Sequence, residues 1–142
     1  MTSTINAKER ARRSELIDKA RLPITQTLPV EDTDESSLML GYGGFYLQIA
    51  FSEAHPLMVF YLARALNRPG NVKDIRRINE LNLKSVLGSH AVNMDAGCYS
   101  YRAAHWLEAE MTTPRFLEML ERHVHEAERA YSQVTHVSEV AG

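Results

Sequence analysis

The run Phe45-Tyr46-Leu47-Gln48-Ile49-Ala50-Phe51 constrains this chain more than any other stretch. Its large apolar residues recur at every second position. Only an extended strand with one covered face can bury Phe45, Leu47, Ile49 and Phe51 together while leaving Tyr46, Gln48 and Ala50 on the other side. Leu38-Met39-Leu40 and the glycine-rich Gly41-Tyr42-Gly43-Gly44 precede it, so the reading is a hairpin. A sheet of this kind needs an apolar cover, and the C-terminal third of the sequence supplies one. Thr112-Thr113-Pro114 is a helix start, with a threonine cap and a proline in the first turn, where its missing N–H is harmless. Leu117, Leu120, Val124, Ala127, Tyr131 and Val134 then trace one apolar stripe along a long helix.

The remaining elements fall between these two. Asn6 to Ala20 is rich in helix formers, opens with Asn6 and Glu9 at capping-box spacing, and carries Leu16, Ile17 and Ala20 near its end, by which it should dock. Pro23 is expected to stop this helix, with a short extended piece between Leu22 and Thr27. Glu31 to Ser37 is acidic and small, which predicts a loop, and Ser52 to Pro56 reads as a turn. Leu57 to Leu66 is taken as a third strand. Val72, Ile75, Ile78 and Leu81 predict a short helix over Val72–Asn82, with Lys73, Asp74, Arg76, Arg77 and Glu80 outside. Val86 to Met94, the turn Asp95-Ala96-Gly97 and Cys98 to Ala104 form a second hairpin, and Thr135 to Gly142 reads as a frayed end. The fold class is therefore α+β: an antiparallel sheet of about five strands with helices packed on it, in the order α-β-β-β-α-β-β-α.

With 142 residues, 44% of them hydrophobic, the sequence fits one domain over residues 1–142 with an ordered core of about 5–134. Such a chain buries roughly 70% of the surface exposed by its unfolded form. The net charge of −2 gives no global pull toward a polyanion or a membrane. Lys8, Arg10, Arg12 and Arg13 form a local basic patch, but Glu9 and Glu15 interrupt it and no aromatic residue lies nearby to stack on a base. Nucleic acid and membrane are accordingly not expected partners. Cys98 is the single cysteine, no apolar run approaches the ~20 residues of a membrane span, and the N-terminus lacks a secretory apolar region, so the protein is expected in the cytoplasm.

No catalytic constellation emerges. His123 and His125 stand two apart on a helix and point to opposite sides, so they cannot chelate one ion, and both read as surface residues. His55, His90 and His105 read as ordinary turn, strand or loop histidines. Cys98 has no neighbour in sequence that would lower its pKa. Gly41 to Gly44 lacks the lysine and the serine or threonine of a phosphate loop. No cofactor or metal is assigned, and no enzymatic activity is expected.

Ile78-Asn79-Glu80-Leu81-Asn82, followed by strand, glycine turn, strand and the Thr-Pro opening of the last helix, resembles the bacterial YbjN family, which is related in fold to the type III secretion chaperones. The resemblance spans about Ile5 to Val134 in element order and rests on Asn79, Asn82 and the hairpin after them. It implies a helix-covered antiparallel sheet, frequent dimerisation and no established enzymatic activity. Asparagine tolerates the left-handed conformation and bonds orphan carbonyls, so Asn79 and Asn82 are expected to close the short helix. The stripe on the last helix either only packs on the sheet or also meets another chain, which makes Leu117, Leu120, Val124 and Tyr131 interface candidates. The expectation is a non-enzymatic protein-binding module, chaperone-like or regulatory, acting as a homodimer on a protein client. The alternative is a ligand sensor or enzyme whose pocket, between sheet and helices, is lined by Tyr46, Tyr61, His90, Tyr99 and Tyr101.

Overall fold

A computed structural model describes residues 7–33, 37–52 and 55–141, without the side chains of Pro23, Asp32 and residues 136–141. The elements are α1 (Ala7–Thr27), β1 (Asp32–Thr33), β2 (Ser37–Tyr42), β3 (Phe45–Phe51), β4 (Leu57–Ala65), α2 (Val72–Lys84), β5 (Ser89–Asn93), β6 (Cys98–Trp106) and α3 (Thr113–Ala141). Five long strands and the two-residue β1 form one antiparallel sheet in the order β1-β2-β3-β4-β6-β5. The α+β class and the predicted order of helices and long strands hold.

The first hairpin has Tyr42 opposite Phe45, with Gly43 and Gly44 as its two-residue loop. Both glycines have positive φ, 59° and 84°, as the primed turns of tight hairpins require. Phe45, Leu47, Ile49 and Phe51 are all buried, and so are Leu38, Leu40, Met58, Phe60 and Leu62 on the neighbouring strands. Through the register, these residues share one face with Tyr99, Tyr101 and Ala103 of β6. The α3 helix covers that face with Phe116, Leu120, Val124, Ala127, Ala130 and Val134. Thr112 caps it as expected, its hydroxyl accepting from Arg115 N–H at 3.3 Å. Phe116, which the predicted stripe omits, is completely buried. The helical backbone also continues to Ala141, past the predicted frayed end.

Three local expectations fail. Pro23 lies inside α1, which runs on to Thr27. Leu16, Ala20 and Ile24 recur four residues apart and are all buried, so the last turn gains core contacts that offset the proline's lost hydrogen bond. The acidic loop is partly a strand, since Asp32 and Thr33 pair with Met39 and Leu38. Asp74, assigned to the solvent side of α2, is buried. It accepts a two-pronged ion pair from Arg68 at 2.8 Å and closes a capping box with Asn71. The predicted capping box at Asn6 lies outside the described residues.

Candidate functional site

Among the described residues, the three helices serve one face of the sheet and no element covers the other. Alternation places Met39, Tyr46, Gln48, Val59, Tyr61 and Trp106 there. Tyr46 and Trp106 are exposed, and Val59 and Tyr61 are half-buried. A shallow depression of ≈ 310 Å³ opens on this face, lined by Gln48, Ala50, Phe51, Ser52, Val59, Tyr61 and Arg102. Aromatic rings left on a flat sheet surface offer contact area at little entropic cost, which suits a macromolecular partner better than a small ligand.

A second apolar surface lies on α2. Its buried side carries Asp74 and Ile78, and the opposite side presents Val72, Ile75 and Leu83 to solvent. Leu83 is 87% exposed, and Val86 just beyond the helix is 92% exposed. Leu83 and Val86 therefore add little to this chain's own core. The exposed Asn79 lies on the same outward side.

Asn82 does not close α2, which ends at Ser85 with the Ser85 N–H bonded to the Asn82 carbonyl. Its side chain reaches across to the outer edge of β5 instead. The Asn82 Nδ2 donates to His90 O at 2.9 Å, and Asn82 Oδ1 accepts from His90 N–H at 2.8 Å. One amide thus satisfies both backbone groups that a further strand would have taken. Replacing Asn82 with leucine should cost about 1–2 kcal/mol in urea denaturation and speed hydrogen exchange at His90 N–H before that of β6. A loss below a few tenths of a kcal/mol would deny the clamp its role.

The polar groups with chemical potential lie on the covered face. His105 Nε2 is 2.6 Å from His123 Nε2, and His123 Nδ1 is 2.7 Å from the Tyr101 hydroxyl. That hydroxyl donates to Glu126 at 3.3 Å, so it accepts from His123 Nδ1–H, which leaves His123 Nε2 to accept from His105. The Ser85 hydroxyl donates to Glu126 at 2.9 Å, and His90 Nε2 lies 3.6 Å from the same carboxylate. His90 Nδ1 meets the Tyr99 hydroxyl at 2.7 Å. A Cβ on Gly88 would lie 2.5 Å from the Tyr101 ring and hydroxyl, so the absence of a side chain lets the chain pass over this cluster. Burial holds His90 and His105 below the usual histidine range. Burial and then the neighbouring His105 push His123 down to about 4. Burial raises both tyrosines. Every buried side-chain polar atom among the described residues has a partner.

Several sequence assignments change in this light. His123 is 1% exposed and belongs to the core, whereas His125 on the opposite side of α3 is exposed. Among the described residues, no group of three or more His, Cys, Asp or Glu side chains could hold a metal ion. The five residues assigned to one pocket are divided by the sheet: Tyr46 and Tyr61 lie on the open face, and His90, Tyr99 and Tyr101 on the covered face. A shared cavity is therefore ruled out. Of the interface candidates on α3, Leu120 and Val124 are buried against the sheet. Leu117 is half-buried, as is Tyr131, which donates to Ala65 O at 2.7 Å and lies 4.4 Å under the Arg64 guanidinium. In the basic patch, Glu9 takes both Arg12 and Arg13 at 3.0 Å. No described helix is long and apolar enough to cross a membrane.

No protein-family model matches the chain, and no curated protein matches it. Solved structures do. The crystal structure of YbjN from E. coli, a candidate transcription regulator, superposes with a TM-score of 0.66 at 13% identity, covering 86% of this chain and 92% of that one. The ExoT–SpcS complex from Pseudomonas aeruginosa gives 0.52 at 19% identity over 83% and 95% of the two chains. The HopA1–SchA chaperone–effector complex gives 0.55 at 12% identity over 91% and 98%. At these identities the likeness is one of fold: the chain has the YbjN-like, secretion-chaperone fold that Asn79, Asn82 and the following hairpin imply.

Proposed function

We propose that this chain is a single-domain, non-enzymatic protein-binding module, chaperone-like or regulatory, that acts in the cytoplasm as a homodimer and takes a protein client on the open face of its sheet. The uncovered face carries the proposal: Tyr46, Val59, Tyr61 and Trp106 lie on a broad surface that the chain's own helices leave bare. The fold neighbours solved as chaperone–effector or similar complexes support a client of protein chemistry. The outward side of α2, with Val72, Ile75, Leu83 and Val86, suits a second copy because it is apolar and separate from the client face.

A photo-reactive residue placed at Tyr61 should cross-link a client in cells, and one at the exposed Arg122 of α3 should not. Tyr61→Asp with Trp106→Ala should abolish capture while the dimer persists in light scattering. Leu83→Glu with Val86→Glu should yield a folded monomer. Equal cross-linking from both positions would count against the client face, and a wild-type monomer at high concentration would remove the dimer.

A further inference from the structure

Over β2 to β6 the described residues leave the open face almost without charge, in a chain whose residues are 24% charged. Among the described residues of β2 to β6, alternation places one charged side chain on it, Arg102 of β6. Arg102 is exposed, with Tyr61 directly opposite on β4 and Ser89 opposite on β5. Along its own strand, Ser100 and Ala104 are the neighbours on that face. None of the four can neutralise it. Arg102 is itself one of the residues that line the depression with Val59 and Tyr61.

A surface built only to be wetted would mix both signs of charge, whereas arginine beside aromatic residues is among the side chains enriched where one protein meets another. A guanidinium framed by tyrosine and small residues is a selective element. Its planar fork matches a carboxylate, and an acid that meets it once the surrounding surface is covered makes short, charge-assisted bonds. We infer that Arg102 selects the client segment: an extended stretch of a protein partner in which one aspartate or glutamate, flanked by apolar residues, pairs with Arg102 while its neighbours occupy the Val59–Tyr61 depression. This inference rests on the client reading of the open face.

Random dodecapeptides displayed on messenger RNA, selected in parallel on the purified full chain and on Arg102→Glu, test it. The wild-type chain should enrich peptides with one Asp or Glu between apolar residues. A wild-type-selected peptide should bind Arg102→Glu roughly 10- to 100-fold more weakly. Lysine or arginine at the acidic position should restore binding to that variant. Selected peptides that Tyr61→Asp rejects but that carry no acidic preference would overturn the role of Arg102 and leave the client face standing. Peptides indifferent to both Tyr61→Asp and Arg102→Glu, or none enriched at all, would overturn the inference and the client face together. Two other occupants are read in the same samples, and either result would overturn the peptide assignment: Arg102-dependent flotation with phosphatidylserine vesicles, and spontaneous disulfide dimers of Ala104→Cys.

Discussion

Acidification from pH 7 to about 4.5 is expected to lower the stability of this protein steeply, with His123 as the main cause. The ring is buried and bonded on both nitrogens, to Tyr101 and to His105. In the folded chain its pKa lies at about 4, against 6.5 for an ordinary histidine. The sign follows from the proton balance. Below pH 6.5 the unfolded chain binds a proton that the folded chain cannot accept, so stability falls as the pH drops and levels off below about 4. The difference corresponds to on the order of 3 kcal/mol, a large share of a typical domain's ~5–15 kcal/mol. His90 and His105 are shifted in the same direction and steepen the slope. Urea midpoints measured across this range should fall, and His123→Leu should be weaker near neutrality but flatter toward acid. Parallel slopes for the two proteins would show that another group governs acid unfolding.

Asp74→Ala should cost on the order of 3 kcal/mol, the largest loss expected from a single polar side chain here. Asp74 is 1% exposed and makes two bonds to Arg68, and its carboxylate also accepts from Asn71 N–H at 2.8 Å. Arg68 keeps 26% of its side chain in contact with solvent, so the orphaned cation is partly rehydrated, which holds the cost to the lower end for a broken buried pair. Loss of half the capping box adds about 1 kcal/mol. Asp74→Asn keeps the shape without the charge and should fall between alanine and the wild type. Denaturant titration gives the total, and hydrogen exchange in the first turn of α2 locates it. A loss below about 1 kcal/mol would mean that Arg68 finds an equivalent partner.

Much of the fold is legible in the sequence because it rests on short-range periodicity. Phe45 to Phe51 announces both its strand and its buried face, and the Thr112 cap announces the start of α3. The failures also have physical causes. Pro23 carries a real local penalty, and only the burial of Ile24 one residue later explains why α1 continues. Asp74 and His123 look like surface residues because charged and titratable side chains usually are. Their burial depends on Arg68, Tyr101 and His105, partners that no local pattern connects to them. The open face is half legible: the polar side of β3 is apparent, but that no described element covers it is not.

Asn79 and Asn82 show the same division. Side-chain period and turn chemistry are local, so they suffice to place the end of a short helix near them, a hairpin after it, and the apolar residues of each element. That β6 lies between β4 and β5, and that α1, α2 and α3 all gather on one face, emerges from the assembled chain. So does the role of Asn82, which clamps the edge of β5 instead of capping its own helix. Those outcomes depend on pairing between segments far apart in the chain, where the free energy belongs to the sum of contacts on both sides and leaves no signature in either segment alone.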